Sequence, residues 1–240
     1  MKWERWGAAT GFVAFALGAA AALFERGAPG AKAPAEEVAA FFSDYRVELL
    51  VQSLLFVLSA GAWLWFLGSL RSYLLRAEGG VGMLSMVAFG AGVVGIGIQA
   101  LIQAPQSALA MASSGSVEPG LALMMANMAY AFNVIAYVPL AVMLVAVALD
   151  SLRTGAFPKW LEWLSAVAAT ALLIMSAGDA VNTPLAAGAW PTYVPYALMA
   201  AWLLATSSVM TARIGKPPTS VAIPDAPNEL VEQATPLKAG

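Results

Sequence analysis

The hydrophobic residues of this chain fall into six long runs that are separated by short polar stretches. A helix needs about 20 mostly apolar residues to cross the hydrocarbon core of a bilayer, and each run has roughly this length. The pattern predicts membrane-spanning helices at residues 6–24, 47–70, 83–104, 121–149, 160–185 and 192–212. We therefore expect an all-α polytopic membrane protein, in which residues 1–213 form one six-transmembrane-helix bundle.

Two segments outside these runs have signals of their own. The stretch Pro34-Ala-Glu-Glu places proline and acidic residues where a helix begins, which predicts a short extracytoplasmic helix between spans 1 and 2. Residues 214–240 contain five prolines and no sustained apolar period. This composition predicts a disordered cytoplasmic tail.

Basic residues are distributed unevenly between the two sides of the predicted bundle. Membrane proteins keep an excess of Lys and Arg in their cytoplasmic segments. With a cytoplasmic N-terminus, nine basic residues lie inside and three outside. Both termini are therefore predicted to be cytoplasmic, in a multi-pass protein of the bacterial cytoplasmic (inner) membrane. Tryptophans near the inner boundary predict an aromatic belt of Trp3, Trp6, Trp63, Trp65, Trp160 and Trp163.

Composition supports the membrane class and limits the kinds of metal site and catalytic site that the chain can form. The chain is 60% hydrophobic and 11% charged, with a mean hydropathy of +0.76, whereas soluble domains are about 25% charged. It has neither cysteine nor histidine, which removes thiolate and imidazole metal ligands and the commonest general base. We therefore expect no metal, no cofactor and, with a net charge of −2, no nucleic-acid partner. The lipid bilayer is the expected partner, and a homo-oligomer is left open.

Polar residues inside the predicted spans gather toward their outer ends, whereas the inner ends are nearly bare of them. Unpaired polar groups are costly in hydrocarbon, and helical spacing places each helix's set on one face. We therefore predict that these faces surround a polar, outward-facing vestibule that binds a small molecule or cation. Its ligand-binding residues are predicted to be Glu48, Gln52, Gln99, Gln103, Asn127, Tyr130, Asn133, Asp179 and Asn182.

Asp179 is the unexpected member of this set, because it closes the apolar run WLSAVAATALLIM. No Lys or Arg lies deep in the apolar core to neutralise it or Glu48, and a desolvated carboxylate holds a proton or attracts a cation. Three simpler interpretations stay open. Asp179 ends a helix among the headgroups, Glu48 pairs with Arg46 at the surface, and the amides only join helices by hydrogen bonds.

Three functions fit this arrangement. The first is binding or transport of a small molecule or ion through the vestibule, and the second is a structural or accessory membrane subunit without its own ligand. The third is an intramembrane acid-catalysed enzyme, a cyclase or isomerase on a lipid-like substrate, with Asp179 as general acid. Its cation-stabilising walls would be Tyr130, Tyr137, Tyr193 and Tyr196. The lack of histidine, cysteine and a paired-carboxylate motif favours the two non-enzymatic functions.

Small residues repeat in spans 1 and 3, at Gly7 and Gly11 and at Ala88, Gly92 and Gly95. Residues of this kind let helix backbones approach one another closely. The pattern predicts close packing within the bundle, with dimerisation through Gly7-x-x-x-Gly11 as the alternative.

Two motifs, together with the acidic outer helix, carry a resemblance to a family. The motif LWFLGSLRSYL ends span 2, and GAFPKWLEWLS leads into span 5. This pattern resembles uncharacterised multi-span integral membrane proteins that are common in actinobacteria, over roughly residues 5–213. The resemblance implies a six-helix bacterial inner-membrane protein. It implies no activity and assigns no functional residue.

Overall fold

The computed structural model describes residues 2–25, 28–29, 33–112, 118–180 and 193–214, without the side chains of Lys2, Glu25, Asp179 and Ala180. All regular structure in these ranges is helical. The helices are α1 (Lys2–Ala22), which continues into a 3-10 turn (Leu23–Glu25), α2 (Ala35–Asp44), α3 (Arg46–Glu78), α4 (Met83–Leu101), α5 (Gln103–Ala112), α6 (Pro119–Thr154), α7 (Lys159–Ala180) and α8 (Tyr193–Arg213). The predicted tail beyond Ile214 lies outside the described residues.

Five helical segments of the described chain are long and apolar enough to cross a membrane. They are α3, α4 together with α5, α6, α7 and α8. The all-α class is therefore confirmed for the described residues, and the five candidate spans support a membrane protein. α1 has 21 residues but does not reach the same hydropathy, so length and hydropathy support five spans where the sequence predicts six.

Two long helices run past the predicted ends of their spans. α3 continues beyond residue 70 to Glu78, and α6 continues beyond residue 149 to Thr154. Each stops at a glycine with positive φ, at Gly79 (64°) and at Gly155 (69°), a conformation that residues with a Cβ rarely adopt. The difference arises because hydropathy marks the apolar part of a helix and not the residue at which the helix ends.

α6 is the central helix of the bundle. It packs most extensively against α4 and α7 and also contacts α2, α3 and α5, while α1 lies against α3 and α8. Large apolar side chains of α3, α6, α7 and α8 form the core. Those that are almost completely buried are Phe66, Leu67, Leu70, Leu74, Tyr137, Met143, Leu144, Leu161, Trp202, Leu203 and Met210.

Gly7 and Gly11 let α1 approach its neighbours within the bundle. A Cβ at Gly7 would collide with Ser69 of α3, and one at Gly11 would collide with Ser207 of α8. Packing within the bundle, the first interpretation of this motif, is therefore confirmed. Gly92 and Gly95 of α4 have the same role toward α3 and α6.

α2 packs on the bundle through a second, smaller apolar cluster. Val38, Phe41 and Phe42 of α2 are buried there. Their neighbours in the cluster come from α3, α5 and α6 and are Leu49, Leu109, Ala110 and Ala122. The cluster closes the end of the bundle at which α3 and α6 begin and α5 ends.

Trp63 departs from the predicted aromatic belt. The other five tryptophans of the belt are exposed, but Trp63 is half-buried and its ring stacks on Trp202 with 6.5 Å between centroids. Phe66, three residues further along α3, packs edge-on against the same indole. Because residues three apart share a helix face, both side chains turn toward α8. Trp63 is therefore part of the core.

Candidate functional site

A chain of hydrogen bonds between amides and phenols links three helices inside the apolar bundle. Gln99 Nε2 donates to Asn133 Oδ1 at 2.9 Å, and Asn133 Nδ2 donates to Tyr137 Oη at 2.9 Å. Tyr137 Oη then donates to Tyr196 Oη at 3.4 Å. We call these four residues the amide–phenol chain, and the end of the bundle that holds them the polar end.

Helical spacing explains why α6 contributes two neighbouring members of the chain. Asn133 and Tyr137 are four residues apart and therefore lie one turn apart on the same face. Tyr137 is buried, and its ring meets that of Tyr196 at 6.4 Å and 70°, an edge-on geometry that aromatic pairs favour. The chain thus runs from α4 through α6 to an exposed phenol in the first turn of α8.

Buried glutamines extend the polar end beyond this chain. Gln103 is the first residue of α5, four residues after Gln99, and Gln106 follows it by three residues. Gln103 is buried, and the Oε1 atoms of Gln103 and Gln106 have no hydrogen-bond partner among the described residues. Gln52 of α3 is buried as well. The polar end therefore combines amide side chains from α3, α4, α5 and α6.

Among the predicted site residues, the structure joins Gln99 and Asn133 by a direct hydrogen bond. Tyr130 is half-buried one turn before Asn133 on α6. Asn127 and Glu48 are exposed. The ligand-binding role of the whole set stays a prediction.

Asp179 and Asn182 were expected to face the same region. Asp179 belongs to the last turn of α7. Its side chain, like the whole of Asn182, lies outside the described residues. That expectation therefore also stays a prediction.

The opposite end of the bundle holds a buried carboxylate that the sequence analysis does not single out. Asp150 of α6 is 0% exposed, and neither of its carboxylate oxygens has a hydrogen-bond partner among the described residues. The Thr154 hydroxyl donates to the backbone carbonyl of Asp150 at 2.8 Å. We call this the basic end, because arginines lie near the helix termini there: Arg71, Arg76, Arg153 and Arg213.

A second buried carboxylate at the basic end has a hydrogen-bond partner. Glu162 of α7 accepts a hydrogen bond from Ser151 Oγ at 2.9 Å, and Ser151 Oγ accepts the Phe157 N–H at 3.0 Å. The expectation that the inner ends are nearly bare of polar residues is therefore wrong. The reason is that α6 carries polar side chains past its apolar part, where the connection to α7 folds over them.

A cleft of about 370 Å³ opens beside Asp150. Its lining comes from α3, α4 and α6 and consists of Ala77, Glu78, Leu84, Asp150, Arg153 and Thr154. Glu78 closes the first turn of α4, because its carboxylate oxygens accept the N–H groups of Leu84 at 3.1 Å and Ser85 at 3.2 Å. Free N–H groups at a helix N-terminus are satisfied in this way by acidic side chains.

The spacing of buried residues along α6 is the sequence feature that could have predicted the burial of Asp150. Leu140, Met143 and Val147 are buried at intervals of three and four residues, and Asp150 continues that series. Hydropathy places the end of span 4 at residue 149, so the aspartate falls just outside the apolar run. Periodicity extended by one turn would have placed it on the buried face.

Replacing Tyr137 by phenylalanine removes the hydroxyl that joins Asn133 to Tyr196. We expect the free energy of unfolding to fall by about 1 kcal/mol, because side-chain hydrogen bonds in membrane proteins average about 0.6 and reach about 1.7 kcal/mol. Thermal unfolding of the detergent-solubilised protein measures the change. Tyr193→Phe, at an exposed tyrosine of α8, is the control, and equal shifts for the two variants would contradict the account.

Neither the metal-ligating residues nor the comparison with known proteins assigns a function to either end of the bundle. Within the described part of the chain, no group of three or more His, Cys, Asp or Glu side chains could hold a metal ion. Comparison of the chain with family models, with curated proteins and with solved structures finds no match. Functional inference therefore depends on the chemistry of the two ends of the bundle.

Proposed function

We propose that the protein binds a small cation or a small hydrogen-bond-donating molecule at the polar end, and moves it through the outward-facing vestibule. The observation that supports this is a pair of glutamine carbonyl oxygens, Gln103 Oε1 and Gln106 Oε1, that are buried without a donor in the described chain. α3, which packs against α5, carries a third such atom, Ser53 Oγ.

Buried acceptors without a donor call for a partner. Leaving such a group unsatisfied costs about 1–3 kcal/mol, which is why the great majority of buried polar atoms in proteins are hydrogen-bonded. A cation, or a ligand with N–H groups, supplies the missing interaction to both glutamines. Amide carbonyl oxygens are also among the ligands that hard cations take.

The amide–phenol chain connects this pair of glutamines to the surface of the bundle. Gln99 precedes Gln103 by four residues, so the polar stripe passes from α4 to α5 without a break. From Gln99, the hydrogen bonds lead through Asn133 and Tyr137 to the exposed Tyr196. A ligand that enters beside Tyr196 would meet polar groups at each step inward.

Cation binding is tested by thermal unfolding of the full chain in lipid nanodiscs. NaCl, KCl and methylammonium chloride are compared with choline chloride at equal ionic strength. We expect at least one of the three probes to raise the midpoint above that in choline chloride, because a ligand that binds the folded state stabilises it. A Gln103→Leu, Gln106→Leu double variant should lose the rise, and Ser208→Ala, at an exposed site of α8, should keep it. Equal midpoints in all four salts would contradict cation binding at the polar end.

We also propose that α1 is a sixth span and that both termini are cytoplasmic, in the bacterial inner membrane. A helix of 21 residues is about 32 Å long, enough for a hydrocarbon core of about 30 Å. α1 packs against α3 and α8, and its Glu4 pairs with Arg76 at 2.7 Å at the basic end. With nine basic residues inside and three outside, the basic end would face the cytoplasm. The polar end and α2 would then lie outside.

Single cysteines test this topology, because the natural chain has no cysteine. Ala112→Cys marks the end of α5, and Gly80→Cys marks the connection between α3 and α4. In intact cells, an impermeant thiol reagent should label the first variant and not the second, whereas opened cells should show both. Labelling of the Gly80→Cys variant alone would reverse the orientation.

A structural or accessory membrane subunit is the second candidate. The amide–phenol chain favours this role, because its hydrogen bonds join α4 to α6 and α6 to α8. Helix packing by itself requires such pairs in a membrane. In that case water donates hydrogen bonds to Gln103 and Gln106, and the midpoint of thermal unfolding does not depend on the salt.

The intramembrane cyclase or isomerase remains the third candidate. It depends on Asp179 as general acid, and the lack of histidine, cysteine and a paired-carboxylate motif argues against it. The resemblance to actinobacterial multi-span membrane proteins likewise stays an expectation. Loss of the cation effect in Asp179→Asn, with the fold retained, would link that residue to the polar end.

A further inference from the structure

The cleft at the basic end is lined by charged side chains of both signs, with a carboxylate at its floor and an arginine at its rim. Asp150, completely buried, forms its floor, and Arg153, exposed and three residues further along α6, forms its rim. Residues three apart lie on the same helix face. Both Asp150 carboxylate oxygens lack a hydrogen-bond partner. Within the described residues, no carboxylate lies at salt-bridge distance from Arg153.

The other polar groups of the cleft are already used by the fold. Both Glu78 oxygens accept backbone N–H groups of α4. The Thr154 hydroxyl donates to the Asp150 carbonyl and accepts the Ala156 N–H at 3.2 Å. Asp150 and Arg153 are therefore the two lining residues whose charged groups have no hydrogen-bond or salt-bridge partner among the described residues.

We propose that this cleft binds a phosphoethanolamine group, with its ammonium on Asp150 and its phosphate on Arg153. A primary ammonium brings three N–H donors to the unpartnered carboxylate, and charge-assisted bonds of this kind are roughly twice as strong as neutral ones. Arginine is the residue best suited to phosphate, because its planar guanidinium matches two phosphate oxygens. Binding also removes the cost of a buried carboxylate that has no partner.

Size and ligand number both favour a small zwitterion over a metal ion. The volume of about 370 Å³ lies near the lower limit of small-molecule pockets, which run from about 300 to 1,000 Å³. Ca²⁺ takes about 6–8 oxygen ligands, whereas this cleft offers one carboxylate with unengaged oxygens. A cation site also gains nothing from an arginine at its rim.

Two sources can supply this group, a phosphatidylethanolamine headgroup and soluble phosphoethanolamine. The cleft lies at the ends of α3 and α6 and the start of α4, where apolar helices reach the membrane surface and headgroups are present. Soluble phosphoethanolamine would enter from the aqueous side. Neither source involves the polar end, so this site does not depend on the proposed cation binding there.

Calorimetric titration of the full chain, held in phosphatidylcholine nanodiscs, tests the chemistry. Soluble O-phosphoethanolamine is compared with O-phosphocholine, which has the same charges but no N–H donor. We expect phosphoethanolamine to bind at least about tenfold more tightly, since it alone brings N–H donors to the carboxylate and hydrogen bonds to charged groups are stronger than neutral ones. Equal affinities of the two compounds would overturn the proposal.

Variants separate the two halves of the site. Asp150→Asn should weaken phosphoethanolamine binding by about tenfold or more, while Glu162→Gln, at a buried carboxylate outside the cleft, should leave it unchanged. Arg153→Gln should weaken phosphoethanolamine binding but not that of ethanolammonium, which has no phosphate. Arg153 is exposed, so this variant is expected to fold even if Asp150→Asn does not. Unchanged affinity in Arg153→Gln would overturn the proposal.

Native mass spectrometry distinguishes the sources. The protein is released from nanodiscs that contain equal amounts of phosphatidylethanolamine and phosphatidylcholine. Retained phosphatidylethanolamine that is lost in Asp150→Asn identifies the lipid headgroup as the occupant. Equal retention of both lipids, together with tight binding of soluble phosphoethanolamine, identifies the free molecule. Equal retention without soluble binding would rule out both.

Discussion

Replacing Trp202 by alanine should lower the free energy of unfolding by about 3–5 kcal/mol, the range for removal of a buried aromatic side chain. Trp202 is 0% exposed, and its indole lies against Trp63 and Phe66. Its Nε1 donates to Ser165 Oγ at 2.8 Å. The substitution therefore leaves a cavity between α3, α7 and α8 and removes a hydrogen bond. Thermal unfolding in detergent should show a fall of about 6–20 °C in the midpoint.

Two controls separate the effect of losing a buried indole from two others, the loss of an exposed indole and the loss of the hydrogen bond. Trp163→Ala removes the same side chain from α7, where it is 72% exposed, and should leave the midpoint nearly unchanged. Ser165→Ala removes the acceptor and should cost about 1 kcal/mol, the usual size of one hydrogen bond. If Trp163→Ala destabilised the protein as much as Trp202→Ala, the assignment of the core would be wrong.

Replacing Gly95 by valine should have the second-largest effect, because it forces α4 away from α6. A Cβ at Gly95 would lie 2.7 Å from Leu140 Cδ2 and 3.2 Å from the backbone N of Leu140. The second contact cannot be relieved by turning a side chain. Overpacking of this kind costs about 1–3 kcal/mol, and denaturation of the purified protein measures it.

Gly97→Val is the matched control for this substitution. Gly97 lies on the same helix, and nothing comes within 4 Å of a Cβ placed there. Replacing a helical glycine in open space removes a destabilising residue, so this variant should be at least as stable as the natural protein. A larger loss at Gly97 than at Gly95 would show that α4 does not present this face to α6.

The helical class and the position of the apolar segments could be predicted, because lipid imposes both length and polarity on a span. The predicted segments 47–70 and 121–149 fall inside α3 and α6. Their helical ends could not be predicted from hydropathy. They depend on glycines with positive φ and on Glu78, which reaches across the turn to the N-terminus of α4.

The polar end could be predicted in part. Asn133 and Tyr137 are four residues apart, which places them on one face of α6, and they are hydrogen-bonded. Spacing within one helix does not show how that helix is rotated in the bundle, however. Asn127 belongs to the same predicted set as Asn133 and is nevertheless exposed. The pairing of Gln99 with Asn133 depends on the packing of α4 against α6, which the sequence alone does not specify.

The basic end shows the opposite limitation. In the sequence, Arg153 is one of the nine basic residues predicted to lie inside, a role that requires no particular neighbour. In the structure, Arg153 has a particular neighbour, the buried Asp150, because α6 remains helical and buried as far as that residue. A charged residue directly after an apolar run can therefore lie inside a bundle when its helix continues.

Water access to Asn133 tests the central claim most directly, namely that the polar end is a site open to the outer side. Asn133 lies roughly 20 Å along α6 from Pro119, at 1.5 Å per residue. Ile135, two residues on, is 55% exposed on another face of the helix and serves as the lipid-facing control. In intact cells, a hydrophilic thiol reagent should modify the Asn133→Cys variant and spare the Ile135→Cys variant. If the reagent modified neither variant until the protein was unfolded, the polar end would be a dry packing layer, and the account would be contradicted.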